Sequence, residues 1–532
     1  MEKLLLLGDE ALAQGAIDAG MSGCYAYPGT PSTEIMEYVQ KSKEAKERNI
    51  HRAWSANEKT AVESALGMSY AGKRSIACMK HVGLNVAADA FVNSGITGAN
   101  GGNLVVSADD PSMHSSQNEQ DSRFFAKFSL IPTLEPSNQQ EAYDMMHYGF
   151  DFSEKYKTPI LVRLTTRLAH SRAGVKRVEM KKENEVKLPE DKRQFVLLPS
   201  IAKNNYNKLI ATQEKFEEES NNSPFNKYIE GKDRSMGIIA CGITYNYLME
   251  NYQETPCPYP ILKVSQYPLP RKMVEKMVAE CETILVMEEG QPLVEETLRG
   301  FLDNGVIVKG RLDGVLPRVG ELNPNLVAKA LNLGNPELQK VPELVAGRPP
   351  KMCGGCSHID SYSALKEGIK EKYGDGHIFA DIGCYTLAAL QPFECVNSCV
   401  DMGASITMAK GASDAGLFPA VAVIGDSTFT HSGMTGLLDA VIENTNMVVM
   451  ILDNSTTGMT GGQASQAYNK VQDIVKGLGV DPDHIRVMNP IKKNHQQLLD
   501  ILDEEVNYNG VSVIIPTREC IQTLKRRTRK SK

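Results

Sequence analysis

The chain has 532 residues, 42% hydrophobic and 23% charged, and a formal net charge of −7. That is the profile of a soluble globular chain with room for about three or four domains. The acidic balance speaks against a general nucleic-acid binder, and no apolar run approaches the roughly eighteen residues of a membrane helix. The N-terminus, MEKLLLLGDE, is too short for a signal-peptide core and has no small-residue cleavage site. Eleven cysteines in such a chain point to free thiols or metal ligands in a cytoplasmic setting rather than to disulfides.

In chain order, residues 1–175 alternate strand and helix. Strands are expected at Leu4–Leu7, Cys24–Tyr27, Ser75–Met79 and Leu104–Ser107, and helices at Ala11–Ala19 and Asn57–Tyr70, with Ser32 or Thr33 capping a further helix. That alternation predicts an α/β fold with a doubly wound parallel sheet. Residues 67–73, GMSYAGK, resemble a phosphate loop but lack its Ser/Thr and sit between a helix and the next strand, the reverse of the required context. No GxGxxG follows a strand, so a nicotinamide cofactor is not indicated. Residues 176–234 are crowded with charge and read as a linker or exposed insertion with some helix. A smaller α/β domain follows at 235–340, with strands at Gly237–Ala240, Pro260–Val264 and Thr283–Met287 between Pro-rich turns. Residues 341–350 form a second linker, and 351–532 a last domain. The basic tail Lys525–Lys532 reads as a solvated end.

The last domain carries the chemistry. A short apolar run, Val421–Ile424, ends in Gly425-Asp426-Ser427; a helix is expected over about Gly433–Glu443; a second apolar run, Met447–Leu452, ends in Asp453-Asn454 and a Ser/Thr/Gly-rich loop. In a parallel sheet this sets Asp426 and Asn454 side by side at the ligand-binding edge. A carboxylate, an amide oxygen and the backbone carbonyl of Thr456 suit Mg²⁺, which takes its remaining oxygens from a phosphate. The order Gly-Asp…Asn resembles the diphosphate anchor of thiamine diphosphate (ThDP) enzymes, with Ser427 where Gly is usual. An ordinary βαβ unit with polar strand ends is the plainer reading.

Other candidates are more open. Glu58 begins a helix, either as a surface carboxylate complementing the dipole or as a buried acid against a cofactor ring nitrogen. His81 and His114 lie in polar loops at strand ends, as acid/base groups or as structural histidines. Cys353, Cys356, Cys384 and Cys520 could hold one [4Fe–4S] cluster. Cys353, Cys356, Cys395 and Cys399 could instead bind a structural zinc, or the thiols could be unligated.

With these residues laid out, the chain resembles the alpha subunits of indolepyruvate ferredoxin oxidoreductases, in the 2-oxoacid:ferredoxin oxidoreductase superfamily. The likeness rests on YPGTPSTE (27–34), NEKTAVESALGMSYAG (57–72), MKHVGLNVAAD (79–89), ADDPSMHSSQNEQDSR (108–123), CGGCSH (353–358), DIGCYTLAAL (381–390), GDSTFTHSG (425–433) and DNSTTGMTGGQ (453–463). It implies a pyrimidine-binding-type ThDP domain at 1–175, a diphosphate-binding-type ThDP domain at 351–532, and a small domain like the transketolase C-terminal one at 235–340. It also implies oxidative decarboxylation of an arylpyruvate: CO₂ is lost at ThDP, electrons pass through an iron–sulfur cluster to ferredoxin, and the acyl group leaves on coenzyme A. Glu58 then matches the glutamate at the aminopyrimidine ring, and Thr30 the loop facing the cofactor. Gly425, Asp426, Ser427, Asn454 and Thr456 match the Mg²⁺–diphosphate anchor. Cys353, Cys356, Cys384 and Cys520 match the cofactor-proximal cluster. Met459 stands where pyruvate-oxidising relatives have an asparagine and would suit an aryl substrate. A smaller beta subunit is the implied partner in a hetero-oligomer. Such alpha subunits usually end in a domain with two further clusters, whereas this sequence stops soon after Cys520, so a separate carrier is expected. A non-oxidative ThDP decarboxylase and a non-catalytic, zinc-binding subunit are the competing expectations.

Overall fold

The computed structural model describes residues 3–191, 194–197, 199–301, 307–317, 320–333, 342–347, 351–399, 402–414 and 417–530. The chain divides into two compact units, Met1–Gln339 and Lys340–Lys532.

The first unit is built on a sheet of seven described strands, in the order Gln266–Tyr267, Thr133–Leu134, Ile160–Thr165, Asn103–Asp109, Ser75–Lys80, Gly23–Ala26, His51–Trp54. All pair in parallel except the first, which is antiparallel to Thr133–Leu134. The central strands Ser75–Lys80, Asn103–Asp109 and Ile160–Thr165 are buried along their whole length, as continuous apolar runs covered on both faces must be. The sheet order brings the C-terminal ends of Gly23–Ala26, Ser75–Lys80 and Asn103–Asp109 to one edge, where the loops carrying Thr30 and His114 begin; His81, expected in a loop, instead opens the helix His81–Val86 directly after its strand.

Three expectations change here. The leucine run Lys3–Leu7 does not enter this sheet; it pairs antiparallel with Arg172–Lys176 in a two-stranded ribbon, leaving Leu5 66% exposed. The segment 176–234 is not a loose linker. Lys181 and Lys187 donate backbone hydrogen bonds to Asp18 and Ala71. The helix Pro199–Asn221 buries Leu209 and Phe216 in the main core, where a phenylalanine contributes roughly 1.5–3 kcal/mol. Its charges lie on the solvent side, and they dominate its composition. Third, the small α/β region is not set apart. Its own sheet, ordered Ile307–Lys309, Thr283–Met287, Gly237–Cys241, Ile261–Val264, Lys227–Ile229, starts before residue 235, and its Gln266–Tyr267 segment extends the sheet of the preceding domain.

A buried ion network joins the two parts. Arg163 pairs with Asp109 at 2.6 Å and with Glu135, and Arg123 pairs with Asp121 and, at 3.0 Å, with Glu288. The Tyr267 hydroxyl donates to Glu135 at 2.8 Å. Every carboxylate in this group has a hydrogen-bonded partner.

The second unit holds a fully parallel sheet in the order Ser398–Cys399, Ile378–Ala380, Val421–Gly425, Met447–Leu452, Val511–Pro516, Ile485–Met488. Two apolar clusters cover its faces.

Candidate cofactor site

In the second unit, Val421–Gly425 and Met447–Leu452 are adjacent and in register, with Gly425 opposite Leu452. Asp426 and Asn454 therefore leave the sheet at the same edge. Asp426 is 1% exposed. The Ser465 hydroxyl and the backbone N–H groups of Ser427 and Asn454 face its carboxyl, which burial, and then the charge of Asp453, push up to about 7. One of its oxygens, Oδ2, is buried with no hydrogen-bond partner. An orphaned anionic oxygen beside an amide is what a hard cation would satisfy. The donor set thus fits Mg²⁺.

The neighbours orient this pair. Asn454 Oδ1 accepts from the Thr456 N–H at 2.9 Å, and its Nδ2 faces His358 Nε2 at 3.2 Å. Burial holds His358 down to about 4, so the imidazole is neutral and its Nε2 serves as acceptor for the amide. His358 was missed as a functional residue by sequence reasoning, although it lies in the quoted CGGCSH; a histidine two residues past a paired cysteine was the available signal. Ser427 Oγ and Thr457 Oγ1 lie 2.9 Å apart. Gly425 has a steric reason: a Cβ there would come 2.7 Å from the Tyr385 ring. Tyr385 in turn hydrogen-bonds the buried Asp381, fixing the turn that begins at Cys384. Met459 is 61% exposed.

Four thiols gather beside this edge. Cys356 precedes the helix Ser357–Leu365 and donates its N–H to Cys353 O at 3.0 Å. Cys520 donates its N–H to Asn454 O at 3.1 Å, and Gly458 packs against Cys384 Sγ. Burial, and then the charges of Cys356, Cys520 and Cys353, push the Cys384 thiol up to about 12. The zinc constellation is not assembled. Cys395 Sγ is buried against Phe393 O, with Lys370 and Lys366 as charged neighbours. Cys399 Sγ lies against Asp381 O. Among the described residues no three thiols come within 4.8 Å of one another, whereas tetrahedral zinc with Zn–S near 2.3 Å would set its sulfurs about 3.8 Å apart.

In the first unit, Glu58 opens the helix Glu58–Tyr70, whose start is fixed by Asn57: its side chain accepts from the Thr60 N–H at 2.9 Å while Thr60 reaches back to the Asn57 N–H. Glu58 is 4% exposed, which removes the surface-carboxylate reading. Gly83 lets it lie there, since a Cβ at 83 would sit 2.6 Å from Glu58 Oε1. His81 is buried. Its Nε2 bonds Asn118 O at 3.1 Å, its Nδ1 has no partner, and burial lowers its proton affinity. Lys80 Nζ donates to Ser115 O, and Ser115 Oγ donates to Thr30 O at 3.2 Å, which ties the Thr30 loop to its neighbour. His114 stands apart from the buried group: it is half-exposed and pairs with Glu321 at 3.4 Å. Neither Ser32 nor Thr33 caps the helix Thr33–Lys41 with its side chain; Ser32 Oγ donates to Gly29 O, and Thr33 Oγ1 accepts from Gly29 N–H.

Comparison with known proteins agrees with this division. Residues 14–223 match the family model for pyruvate flavodoxin/ferredoxin oxidoreductase, thiamine diphosphate-binding. Residues 381–515 match that for thiamine pyrophosphate enzyme, C-terminal TPP-binding domain. The two matches define a thiamine-diphosphate-binding oxidoreductase subunit. The indolepyruvate oxidoreductase subunit IorA of Archaeoglobus fulgidus is 39% identical, over 98% of this chain and 86% of its own length. That of Pyrococcus abyssi is 38% identical with the same coverage. The chain belongs to the family of indolepyruvate oxidoreductase IorA subunits. A solved 2-oxoglutarate:ferredoxin oxidoreductase from Magnetococcus marinus shares the fold over 62% of this chain and 65% of its own, with a TM-score of 0.51 and 17% identity.

Proposed function

We propose that the protein is the ThDP-binding subunit of a cytoplasmic, hetero-oligomeric enzyme that oxidatively decarboxylates arylpyruvates such as indolepyruvate. Each turnover would convert one 2-oxoacid and one coenzyme A thiol to an aryl-acetyl thioester, CO₂, a proton and two electrons, the electrons leaving through a cluster to ferredoxin. A smaller beta subunit would complete the assembly. The observation that carries this reading is the buried, unpartnered Asp426 Oδ2 next to Asn454. Bound ThDP supplies the electron sink that loss of CO₂ from a 2-oxoacid requires.

The chain's own residues would do the rest. Asp426, Asn454 and the Thr456 carbonyl hold Mg²⁺ and with it the diphosphate, while Gly425 and Ser427 shape the turn beneath. His358 keeps the Asn454 amide turned so that its oxygen faces the ion. Glu58, buried at the helix start that Asn57 caps, would be the acid presented to the aminopyrimidine ring, and Thr30 would line the loop facing it. His81, neutral with a free Nδ1 lone pair, is the better-placed proton acceptor of the two histidines; half-exposed His114 is suited to the rim. Met459, exposed on the loop after Asn454, offers an apolar surface to an aryl group. Cys356, Cys520 and Cys353 all act on the Cys384 thiol, a grouping that supports one four-iron cluster, whose thiolates bind different irons. Their grouping also favours the oxidative reading over a simple decarboxylase, which needs no cluster.

Anaerobic purification with the smaller subunit, followed by metal analysis, tests the reading. About four irons per chain, with a visible band bleached by indolepyruvate, are expected; zinc without iron would overturn the electron-transfer part. Asp426→Ala should weaken Mg²⁺–ThDP binding, and unchanged affinity would remove the anchor.

A further inference from the structure

The first unit contains a second set of buried oxygens with nothing to pair them. Asp9 lies in the first turn of the helix Gly8–Asp18 and is fully buried, yet neither of its carboxylate oxygens has a hydrogen-bond partner. Glu34 lies in the first turn of the helix Thr33–Lys41, and its Oε2 is likewise buried without a hydrogen bond. His170 ends the helix Thr166–His170 and brings Nε2 to 3.6 Å from Glu34 Oε2, an ion-pair distance too long for a hydrogen bond. One ligand atom from each of the three lies within 4.8 Å of the others, and among the described residues no other such trio of His, Cys, Asp or Glu exists.

Two facing carboxylates, one of them fully buried, repel each other. His170 keeps Glu34 below the usual carboxylate range, whereas burial and the Glu34 charge push Asp9 well above it. Either a shared proton or a cation relieves that conflict. A shared proton needs only the two acids. The third donor, an imidazole nitrogen aimed at the same point, favours a cation. Two oxygens and one nitrogen are the ligand mix of first-row transition ions rather than of Ca²⁺ or Mg²⁺, which take oxygen alone.

We propose that Asp9, Glu34 and His170 form a site for a divalent first-row transition ion, separate from the Asp426 edge. Side chains 37% and 36% exposed at Glu34 and His170 leave a route for the ion and for the waters that complete its coordination. The ion would be structural. Glu34 closes the segment Tyr27–Glu34 that carries Thr30, so a metal shared with Asp9 and His170 pins the base of that loop to the N-terminal helix and to the end of Thr166–His170.

The test uses the purified complex, stripped of metal and ThDP, in an Asp426→Ala background that removes the other hard-cation site. The probe is Mn²⁺ alone, which thiolates bind poorly, counted by electron paramagnetic resonance. The expected result is one Mn²⁺ per chain, displaced by Zn²⁺, with affinity lowered at least about tenfold by adding His170→Ala or Glu34→Gln. His170 is exposed, so His170→Ala should fold, which circular dichroism checks. Absence of saturable Mn²⁺, or binding indifferent to both substitutions, overturns the proposal. Absence of binding together with a higher melting temperature in Asp9→Asn would assign the pair a shared proton instead. None of these outcomes depends on turnover, so the result is independent of the proposed reaction.

Discussion

Two buried clusters of charge treat their carboxylates in opposite ways. Around Arg123 and Arg163, four acids and two guanidinium groups sit in the interior with each acid bonded to a guanidinium, hydroxyl or backbone donor. At Asp426 the surrounding donors reach one side of the carboxyl only, and the other oxygen faces no donor. The first arrangement is what a junction between sheets needs: a closed set of charges with no place for a visitor. The second carries a standing electrostatic cost whenever the carboxyl is ionised, which an added cation or a proton removes. Completeness of pairing, rather than depth of burial, separates scaffold from site.

Arg163→Ala should break that contrast most severely. It strands Asp109 without its cation and leaves Glu135 only the longer cation contact with Arg123 at 3.8 Å, and a loss of about 3–5 kcal/mol is expected, visible as insoluble protein or as a large drop in the melting temperature of the first unit. Asp426→Asn should act in the reverse direction. Its carboxyl sits at about 7 when folded against about 3.9 when unfolded, so folding favours the protonated form. The cofactor-free protein should therefore lose stability as pH rises from about 4 to about 7 and stay low above it. The amide variant escapes this loss and should be about 2–4 kcal/mol more stable at pH 8 but not at pH 4, while gaining nothing from Mg²⁺ and ThDP. Equal pH dependence in both proteins would contradict the contrast. The smallest effect belongs to Gly83→Ala. Its Cβ would press on Glu58 Oε1, costing about 1–3 kcal/mol and, on the proposed reading, lowering ThDP-dependent turnover more than coenzyme A affinity. Steady-state kinetics at saturating ThDP separates the two.

The strand-tip pair was legible because its signal is local: two apolar runs, each ending in an oxygen ligand, need only a parallel register to meet, and the register is Gly425 opposite Leu452. The gathering of Cys353, Cys356, Cys384 and Cys520 is long-range; spacing alone left it open against Cys395 and Cys399, and only the family likeness favoured it. Features set by partners remote in sequence were not legible. Nothing in MEKLLLL says that it pairs with Arg172–Lys176 rather than with Gly23–Ala26. The charge of 176–234 hid the buried Leu209 and Phe216 of a long helix. His114 reads like His81 in sequence, and Glu321, some two hundred residues on, draws it to the surface. Glu58 was ambiguous because burial of the first helical turn depends on Gly83 from a different element.

The shared sheet between residues 1–175 and the small α/β region has a practical meaning for dissection of the molecule. A chain truncated near residue 234 would lose Gln266–Tyr267, uncovering the main-chain edge of Thr133–Leu134, and would lose Glu288 from beside Arg123. Arg123 would keep Asp121, but the open strand edge beside it invites intermolecular pairing. Limited proteolysis aimed at releasing residues 1–175 alone should thus yield aggregates, while cleavage in 342–347, at the start of the second compact unit, should leave the shared sheet of the first unit intact.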